Sequence, residues 1–504
     1  MGAKPGADAK GKFALDSFER IRKDGSAQNH RLMKYSLAVR ACLLFSALVA
    51  GCKHYEPAPL SSRQSASALE ARSLADPGLK QFAEKWAQPP PASWPPAQWD
   101  FATLTLVAFY FHPALDLARA QWSVAKAGIQ TAGGRPNPIV SAVPGYSMNP
   151  QNGSSPWFPM LSVDIPIQTA GKRGYRVAQA QKLAEAARLN ITSAAWQVRS
   201  NLRLTLLDYE VAQQRAQRLQ QQLELQQQIV ALLEQRLQAG TVARTDVTLQ
   251  RLALARTGIE LADAQRVSAE ARVRIADAVG VSAKAIAGAK FELPLAVSAE
   301  SAVELTSAQA RDEALLGRPD ILAALADYAA TESLLQFEIA RQYPDIHLNP
   351  GYQFDEGEHK WSLGLSAELP VLNQNQGPIA EAKARREEAG ARFVALQSAV
   401  LAAIERALAA RAAALEQVAQ QSRLTGLARE QSASVAAMFQ AGAADKLELS
   451  SAQFESSVSE LAYLDAQFKA QLAIAQLEDA IKRPLEAWPP LEQGRAAQAQ
   501  AKSP

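Results

Sequence analysis

The sequence predicts a mainly α-helical fold with a small membrane β portion, made by writing one helix–β-hairpin–long helical hairpin unit twice. Three observations predict it. The first is an internal repeat. "HPALDLARAQWSVAKAGIQTAGGRPNP" (112–138) parallels "RPDILAALADYAATESLLQFEIARQYP" (318–344), and "PGY" at 144–146 recurs at 350–352, each at an offset of 206. "QAG" at 238–240 recurs at 440–442, an offset of 202. The loss of four residues is close to one helical turn, which a helix absorbs with little rotation of its faces. The second observation is a stretch from Tyr175 to Gln238 without proline or glycine. The third is a pair of short, alternating runs in each half, separated by a polar loop.

The elements follow in order. Each unit opens with a helix, about 113–134 and 319–341. Pro138 and Pro344 end these helices, since proline cannot continue the hydrogen-bond ladder. A hairpin follows: "IVSAVPGYSM" and "MLSVDIPI" around "NPQNGSSPWFP", then "DIHLNPGYQF" and "WSLGLSAELPV" around "DEGEHK". Strands of about 8–11 residues fit the length that crosses a bilayer at a tilt. Alternation is strongest in "WSLGLSAELPV", with Trp361, Leu363 and Leu365 on one face and Ser362, Gly364 and Ser366 on the other. Trp157 and Trp361 lie near the loop ends, where barrels carry aromatic girdles. Gly171 and Gly377 mark the junctions from hairpin to long helix.

The first long helix spans on the order of 95 Å at 1.5 Å per residue. Its second part carries a seam of Ala212, Ala216, Leu219, Leu223, Gln226, Val230, Leu233 and Leu237, the alternating steps of a coiled coil. Alanine and glutamine make this a thin seam. The companion helix covers about 379–440. Glycine turns at Gly240 and Gly442 reverse the chain, and antiparallel helices follow at about 245–279 and 445–482. The resulting boundaries are 101–282 for the first repeat, 283–317 for a connecting segment without a helical stripe, 318–484 for the second repeat and 485–504 for a disordered tail.

The N-terminus reads as an address. "ACLLFSALVA" (41–50) is too short to span a bilayer as a helix, follows Arg31, Lys34 and Arg40, and ends in small residues. Those are the parts of a secretory signal, here residues 1–51, with translation expected to begin at Met33. "LVAGC" resembles the bacterial lipoprotein lipobox, which implies that Cys52 carries covalent lipid and becomes the first mature residue. By the same resemblance, Lys53 in place of an aspartate favours the outer membrane. Residues 52–100, with the Pro-rich "PPPASWPPAQW", read as an extended tether.

Composition excludes other classes. Cys42 lies inside the apolar run, so no disulfide framework remains once that run is removed. The 5 histidines form no pair at metal-ligand spacing, so no metal site or cofactor is expected. A net charge of +3 without a basic, aromatic-interleaved patch offers no nucleic-acid footprint. No nucleophile elbow, P-loop or dinucleotide fingerprint is present, so no enzyme is expected. A structural lipoprotein tethering the envelope layers would share the helices but has no use for two hairpins of membrane-crossing length.

The set formed by "RPNP", the "PGY" strands, "DIPIQTAGKRGYRVAQA", "ELPVLNQNQGPIAEAKA" and the two "QAG" turns resembles the TolC-type outer membrane factor family over about residues 100–485. "GKRG" and "NQNQG" are most similar to its heavy-metal branch, typified by cobalt-zinc-cadmium resistance channels. The resemblance implies a fold that is mainly α with a small membrane β-barrel. A homotrimer would pool four strands per chain into a twelve-stranded β-barrel, continued by a periplasmic barrel of helices. It implies a passive exit duct for divalent heavy-metal cations, or alternatively for drugs or secreted proteins. Its partners would be a periplasmic membrane-fusion adaptor, an inner-membrane proton-driven pump of the RND type, and outer membrane lipid. Gly240 and Gly442 would lie where the adaptor docks. Glu448, six residues after the second glycine, and its counterpart Asp246 would line the closed periplasmic gate. The family's basic latch residue is replaced by Ala444, with Asp445 and Lys446 beside it.

Overall fold

The structure, a computed structural model, describes residues 54–87, 93–150, 155–296 and 306–485. Met33, Cys52, Lys53, the signal segment and the tail beyond residue 485 lie outside them. The chain divides into residues 1–67 and 68–504. Helix α1 (Ser62–Glu70) buries no side chain.

The second unit continues with α2 (Pro77–Trp86), α3 (Phe101–Phe111), α4 (Pro113–Gly133), β1 (Ile139–Val143), β2 (Met160–Ile167), α5 (Lys172–Gln238) and α6 (Arg244–Val279). After a short 3-10 turn (Ala283–Ile286) come α7 (Ser307–Gly317), α8 (Pro319–Ala340), β3 (Ile346–Asp355), β4 (Glu358–Ala367), α9 (Gln376–Gln440) and α10 (Lys446–Ile481). At 67 residues, α5 is about 100 Å long. A helix of that length owes its stability to neighbours rather than propensity, and α5 packs against α4, α6, α8 and α10.

The duplication extends to individual core residues. One cluster includes Leu104, Ala108, Leu115, Val198, Leu202, Ile275 and Val279. A second includes Ala310, Ala314, Ile321, Val400, Ile404, Leu477 and Ile481. The first three pairs are offset by 206 and the last four by 202, so each core is the other's copy. This moves one boundary. Helix α7 is the repeat of α3 at an offset of 206, so the second repeat begins at 307 and the connecting segment ends just before it. A small residue hides the match: Ala310 stands where the first copy has Leu104, while Ala314 matches Ala108.

The tether is also shorter than its composition implies. Asp76 caps α2 by accepting from the Leu79 amide at 2.9 Å, and Leu74, Leu79 and Trp99 are buried in the first core. The Trp99 amide donates to the Lys290 carbonyl at 2.9 Å, pinning the end of the Pro-rich stretch to the connecting segment. Burial of large apolar side chains outweighs the extended preference of the surrounding prolines.

The four strands form one antiparallel sheet in the order β1-β2-β3-β4. Pairing of β2 with β3 joins the two halves, with Leu161 opposite Tyr352 and Pro166 opposite His347. In "DEGEHK" only Glu356 and Gly357 form the turn, both at positive φ, as a two-residue hairpin requires. β1 stops at Val143, before Pro144. Beyond it, a bridge between Tyr146 and Trp157 resumes the pairing.

Candidate functional site: a two-faced sheet and the helical-hairpin tips

Directly opposed residues share a face of a sheet, so the register sorts every side chain. One face carries Ser141, Ser162, Asp164, His347, Asn349, Gln353, Lys360, Ser362 and Ser366, with Ile139, Val143, Met160 and Pro166 as its apolar members. The other carries Val140, Leu161, Val163, Ile165, Leu348, Tyr352, Phe354, Trp361, Leu363 and Leu365, with His359 as its polar member. Trp361 is 81% exposed, Leu363 69% and Leu365 72% in the single chain. Tyr352 and Trp361 pack on this apolar face with ring centroids 4.9 Å apart and planes tilted by 56°. One sheet with a mostly polar and a mostly apolar face, whose two longer strands of 10 residues each match the length that crosses a bilayer at a tilt, has the character of a membrane-barrel wall.

The proline markers sit at the base of the sheet and do not end the helices. Gly134 caps α4, its amide donating to the Thr131 carbonyl at 3.1 Å, and α8 stops at Ala340. The helices end earlier because glycine or a turn intervenes, and Pro138 and Pro344 then prevent a helical restart before the strands. Pro344 has a further part: its carbonyl accepts from the Thr169 hydroxyl. The buried ammonium of Lys172 lies 2.7 Å from Asp345 and 2.6 Å from the Tyr343 carbonyl. Burial pushes the Asp345 carboxyl up, but the Lys172 and Thr169 hydrogen bonds more than offset it, and the net direction is down. These contacts stitch the exit of the first hairpin to the entry of the second.

Gly171 stands at the junction with φ of +72° and caps α5. Gly377 does not do the same in the second half. There Asn375 takes the left-handed conformation at φ of +62°, and Gly377 already lies in the first turn of α9. Asparagine is among the few side chains that tolerate this region. Asn375 is also held by the Glu338 carbonyl and carboxylate at 2.7 and 2.8 Å.

At the far end, Gly240 and Gly442 have φ of +72° and +73°. Thr241 donates to the Arg236 carbonyl at 2.9 Å and Ala443 to the Met438 carbonyl at 2.8 Å, the six-to-one bond of a Schellman ending. A Cβ at either glycine would meet nothing within 4 Å, so both turns face open space. Asp246 and Glu448 occupy equivalent third positions of α6 and α10. Glu448 accepts from the Asp445 amide at 2.9 Å, and Asp445 accepts back from the Glu448 amide at 3.0 Å, a complete capping box. Asp246 accepts from the Ala243 amide at 3.3 Å, but alanine offers no side-chain acceptor in return. Both carboxylates therefore hold turn geometry. Asp445 also bonds Arg236 of the other hairpin at 2.6 Å, an ion pair across the two tips. The backbone amide at Glu448 and the Arg236 guanidinium hold the Asp445 carboxyl below the usual carboxylate range. The sequence reading missed Arg236, though the Asp-x-x-Glu box beside it was visible.

A second cross-repeat cluster lies midway. Glu478 of α10 is 2% exposed and pairs with Arg199 at 3.0 Å and with Arg203, both on α5. Arg199 stacks on Phe101 and Trp196 at 4.9 and 4.8 Å, and burial pushes its guanidinium down. Neighbouring Asp479 accepts from the Trp196 indole at 2.7 Å and the Ser200 hydroxyl at 2.5 Å.

Fold and site together define a channel-forming protein of the outer-membrane type. The profile of the family described as "Outer membrane efflux protein" matches residues 111–281 and again 310–481, once per repeat. The chain belongs to the outer membrane efflux protein family, whose members are channels and not enzymes. A curated relative is the cobalt-zinc-cadmium resistance protein CzcC of Cupriavidus metallidurans, 25% identical over 235 residues, which cover 46% of this chain and 55% of that protein. The chain thus aligns with about half of that relative's length.

Solved structures share the fold. CusC superposes with a TM-score of 0.61 at 19% identity, covering 78% of this chain and 94% of CusC. The channel OprN gives 0.63 at 20% identity, covering 86% and 99%. VceC of Vibrio cholerae gives 0.62 at 20% identity, covering 77% and 97%.

Proposed function

We propose that this chain is the exit duct of a tripartite, proton-driven efflux system, and that its cargo is divalent heavy-metal cations. The observation that carries the cargo is the similarity to CzcC, a cobalt-zinc-cadmium resistance protein. The two-faced sheet supports the duct. On this reading the duct crosses the outer membrane and its helices extend into the periplasm. A lipid on Cys52 adds an anchor, and a Cys52→Ser variant that still takes up radiolabelled palmitate would refute that part.

The duct closes as a homotrimer. Both edges of the sheet, β1 and β4, are open, and an open edge in lipid leaves backbone groups unsatisfied. Three copies joined edge to edge give twelve strands. The helices support the same assembly: in the helical hairpins the packing order is α6, α5, α10, α9, so α6 and α9 form the outer edges. Leu249, Leu252 and Ile259 on α6, and Leu424, Leu427 and Met438 on α9, remain exposed there. An apolar 18-residue window of α9 is only 17% buried within one chain. A head-to-tail ring that closes covers both edges at once.

The tips carrying Gly240 and Gly442 receive the periplasmic adaptor, which couples the duct to an inner-membrane pump of the RND type. Asp246 and Glu448 line the gate there, and the Arg236–Asp445 pair fastens the two tips of one chain. Deleting the gene and measuring tolerance to zinc, cobalt, cadmium and antibiotics tests the cargo. Loss of metal tolerance, restored by the gene, is the expected result. Drug sensitivity with intact metal tolerance refutes the metal reading in favour of drug export.

A further inference from the structure

Among the described residues, no three metal-ligating side chains cluster together. The polar face of the sheet holds a pair instead. His347 Nδ1 lies 2.9 and 3.1 Å from the two carboxylate oxygens of Asp164, across the β2–β3 boundary that joins the repeats. An ionised carboxylate only accepts, so Nδ1 carries a proton, and in the neutral imidazole Nε2 keeps its lone pair. Among the described residues no group bonds Nε2, and both side chains are about one-third exposed (38% and 32%). Asn349 follows on the same face of β3. Its amide donates to the Ser366 hydroxyl at 3.1 Å, which leaves the amide oxygen free. The residue opposite Asn349 is Gly364, so no side chain covers it.

We propose that the Asp164–His347 pair is a docking point for a borderline divalent transition-metal cation on the inner wall of the barrel. His347 Nε2 is the ligand, and Asp164 orients it. This rests on the duct reading above, which turns the polar face toward the lumen. The chemistry follows from the arrangement. A carboxylate bonded to the far nitrogen of an imidazole is the usual outer-shell support of a metal-bound histidine; it fixes the tautomer and raises the ligand's basicity. Imidazole selects zinc-, cobalt- and copper-like ions, whereas magnesium and calcium prefer oxygen.

A barrel of about eight strands is filled by its own side chains, and wider ones open a lumen. In twelve strands, three copies of His347 stand too far apart to share one ion. Each therefore holds its ion alone, completed by water and within reach of the Asn349 oxygen. Such a site is weak, as a conduction path requires: an ion must leave as readily as it enters.

The test uses the full-length protein in detergent, with Cu2+ as the probe. Pulsed EPR detects the remote nitrogen of a coordinated imidazole, and spectra are compared for wild type, His347→Gln and Asp164→Asn. Far-UV circular dichroism reports that each variant keeps its fold. The expected result is that His347→Gln loses an imidazole component that wild type shows. Asp164→Asn should retain that component with a titration midpoint weakened about 10–100-fold. Zn2+ should compete for it and Mg2+ should not. An unchanged spectrum in His347→Gln overturns the site, because His30, His54, His112 or His359 would then be the ligand. If His347→Gln does not fold, Asp164→Asn decides alone: an unchanged midpoint overturns the proposal. The underlying reading fails separately. A wild-type protein that forms no conducting channel in a planar bilayer refutes the duct, whatever copper binds.

Discussion

Replacing Glu478 by alanine tests the clasp between the two repeats. Glu478 is the shared acceptor of Arg199 and Arg203, whose side chains are only 8% and 10% exposed. Removing it leaves two guanidinium groups facing each other in a nearly dry site. Breaking a buried pair from one side costs about 3–5 kcal/mol, because the remaining charge stays desolvated. Asp479, two stacked rings and a vacated carboxylate volume that admits water offset part of this. The expected loss is therefore at the low end, about 3 kcal/mol, or roughly a hundredfold in the local opening equilibrium. Native-state hydrogen exchange of α5 around Leu202 and of α10 around Leu477 reads that opening directly. A triple variant, Glu478→Leu with Arg199→Met and Arg203→Leu, should recover most of the protection, since a buried ion cluster and a well-packed apolar one are close in stability. Less than a threefold change in exchange for Glu478→Ala would refute the reasoning: the two arginines would have to reach water as they stand. Failure of the triple variant would show that the ions specify the packing and do not merely tolerate it.

Other outcomes follow from the turns and the tips. Gly240→Ala and Gly442→Ala should each cost about 1–2 kcal/mol, the strain of a left-handed alanine alone, since nothing stands near either Cβ position. Gly280→Ala should cost more, because at φ of +83° its Cβ would also meet the His112 Cα at 2.9 Å and the Phe111 carbonyl at 3.0 Å; equal denaturation midpoints for Gly240→Ala and Gly280→Ala would refute this. The double variant Glu448→Ala, Asp246→Ala should free the Asp445 and Ala243 amides, fray both tips and raise channel conductance or vancomycin uptake; unchanged conductance places the gate elsewhere. The Arg236–Asp445 link has a defined pH sense. The Asp445 carboxyl is held down in the folded chain, so its contribution is complete above the ordinary carboxylate pKa of about 3.9 and is lost only as pH falls through the lowered value. Hydrogen exchange at the tips, corrected for its intrinsic rate, should stay flat between about pH 7 and 5; a step in that window would mean that another group controls them.

The sequence by itself determined the repeat, the order of elements, the two-faced strands and the glycine turns. These are local properties with a period, written twice, so each half checks the other. Alternation in "WSLGLSAELPV" assigns faces without any knowledge of partners, because side chains on a strand point alternately to either side. The same locality explains what stayed hidden. Helix α7 lacks the bulky stripe of α3, and only its neighbours reveal that Ala310 and Ala314 are core. Gly377 looked like the partner of Gly171 by offset, but a two-residue shift at the junction handed the left-handed position to Asn375. That choice depends on Glu338, which lies 37 residues away.

Tertiary structure alone decided what joins the halves. Pairing of β2 with β3, the Lys172–Asp345 stitch, the Arg236–Asp445 tip pair and the Glu478 clasp connect residues 173 to 279 positions apart. His347 meets Asp164 across 183 residues. No periodicity encodes such pairs. A charged residue on a helix or strand reads as solvated until the fold shows which face of another element stands against it. Here that face belongs to the other copy of the same unit.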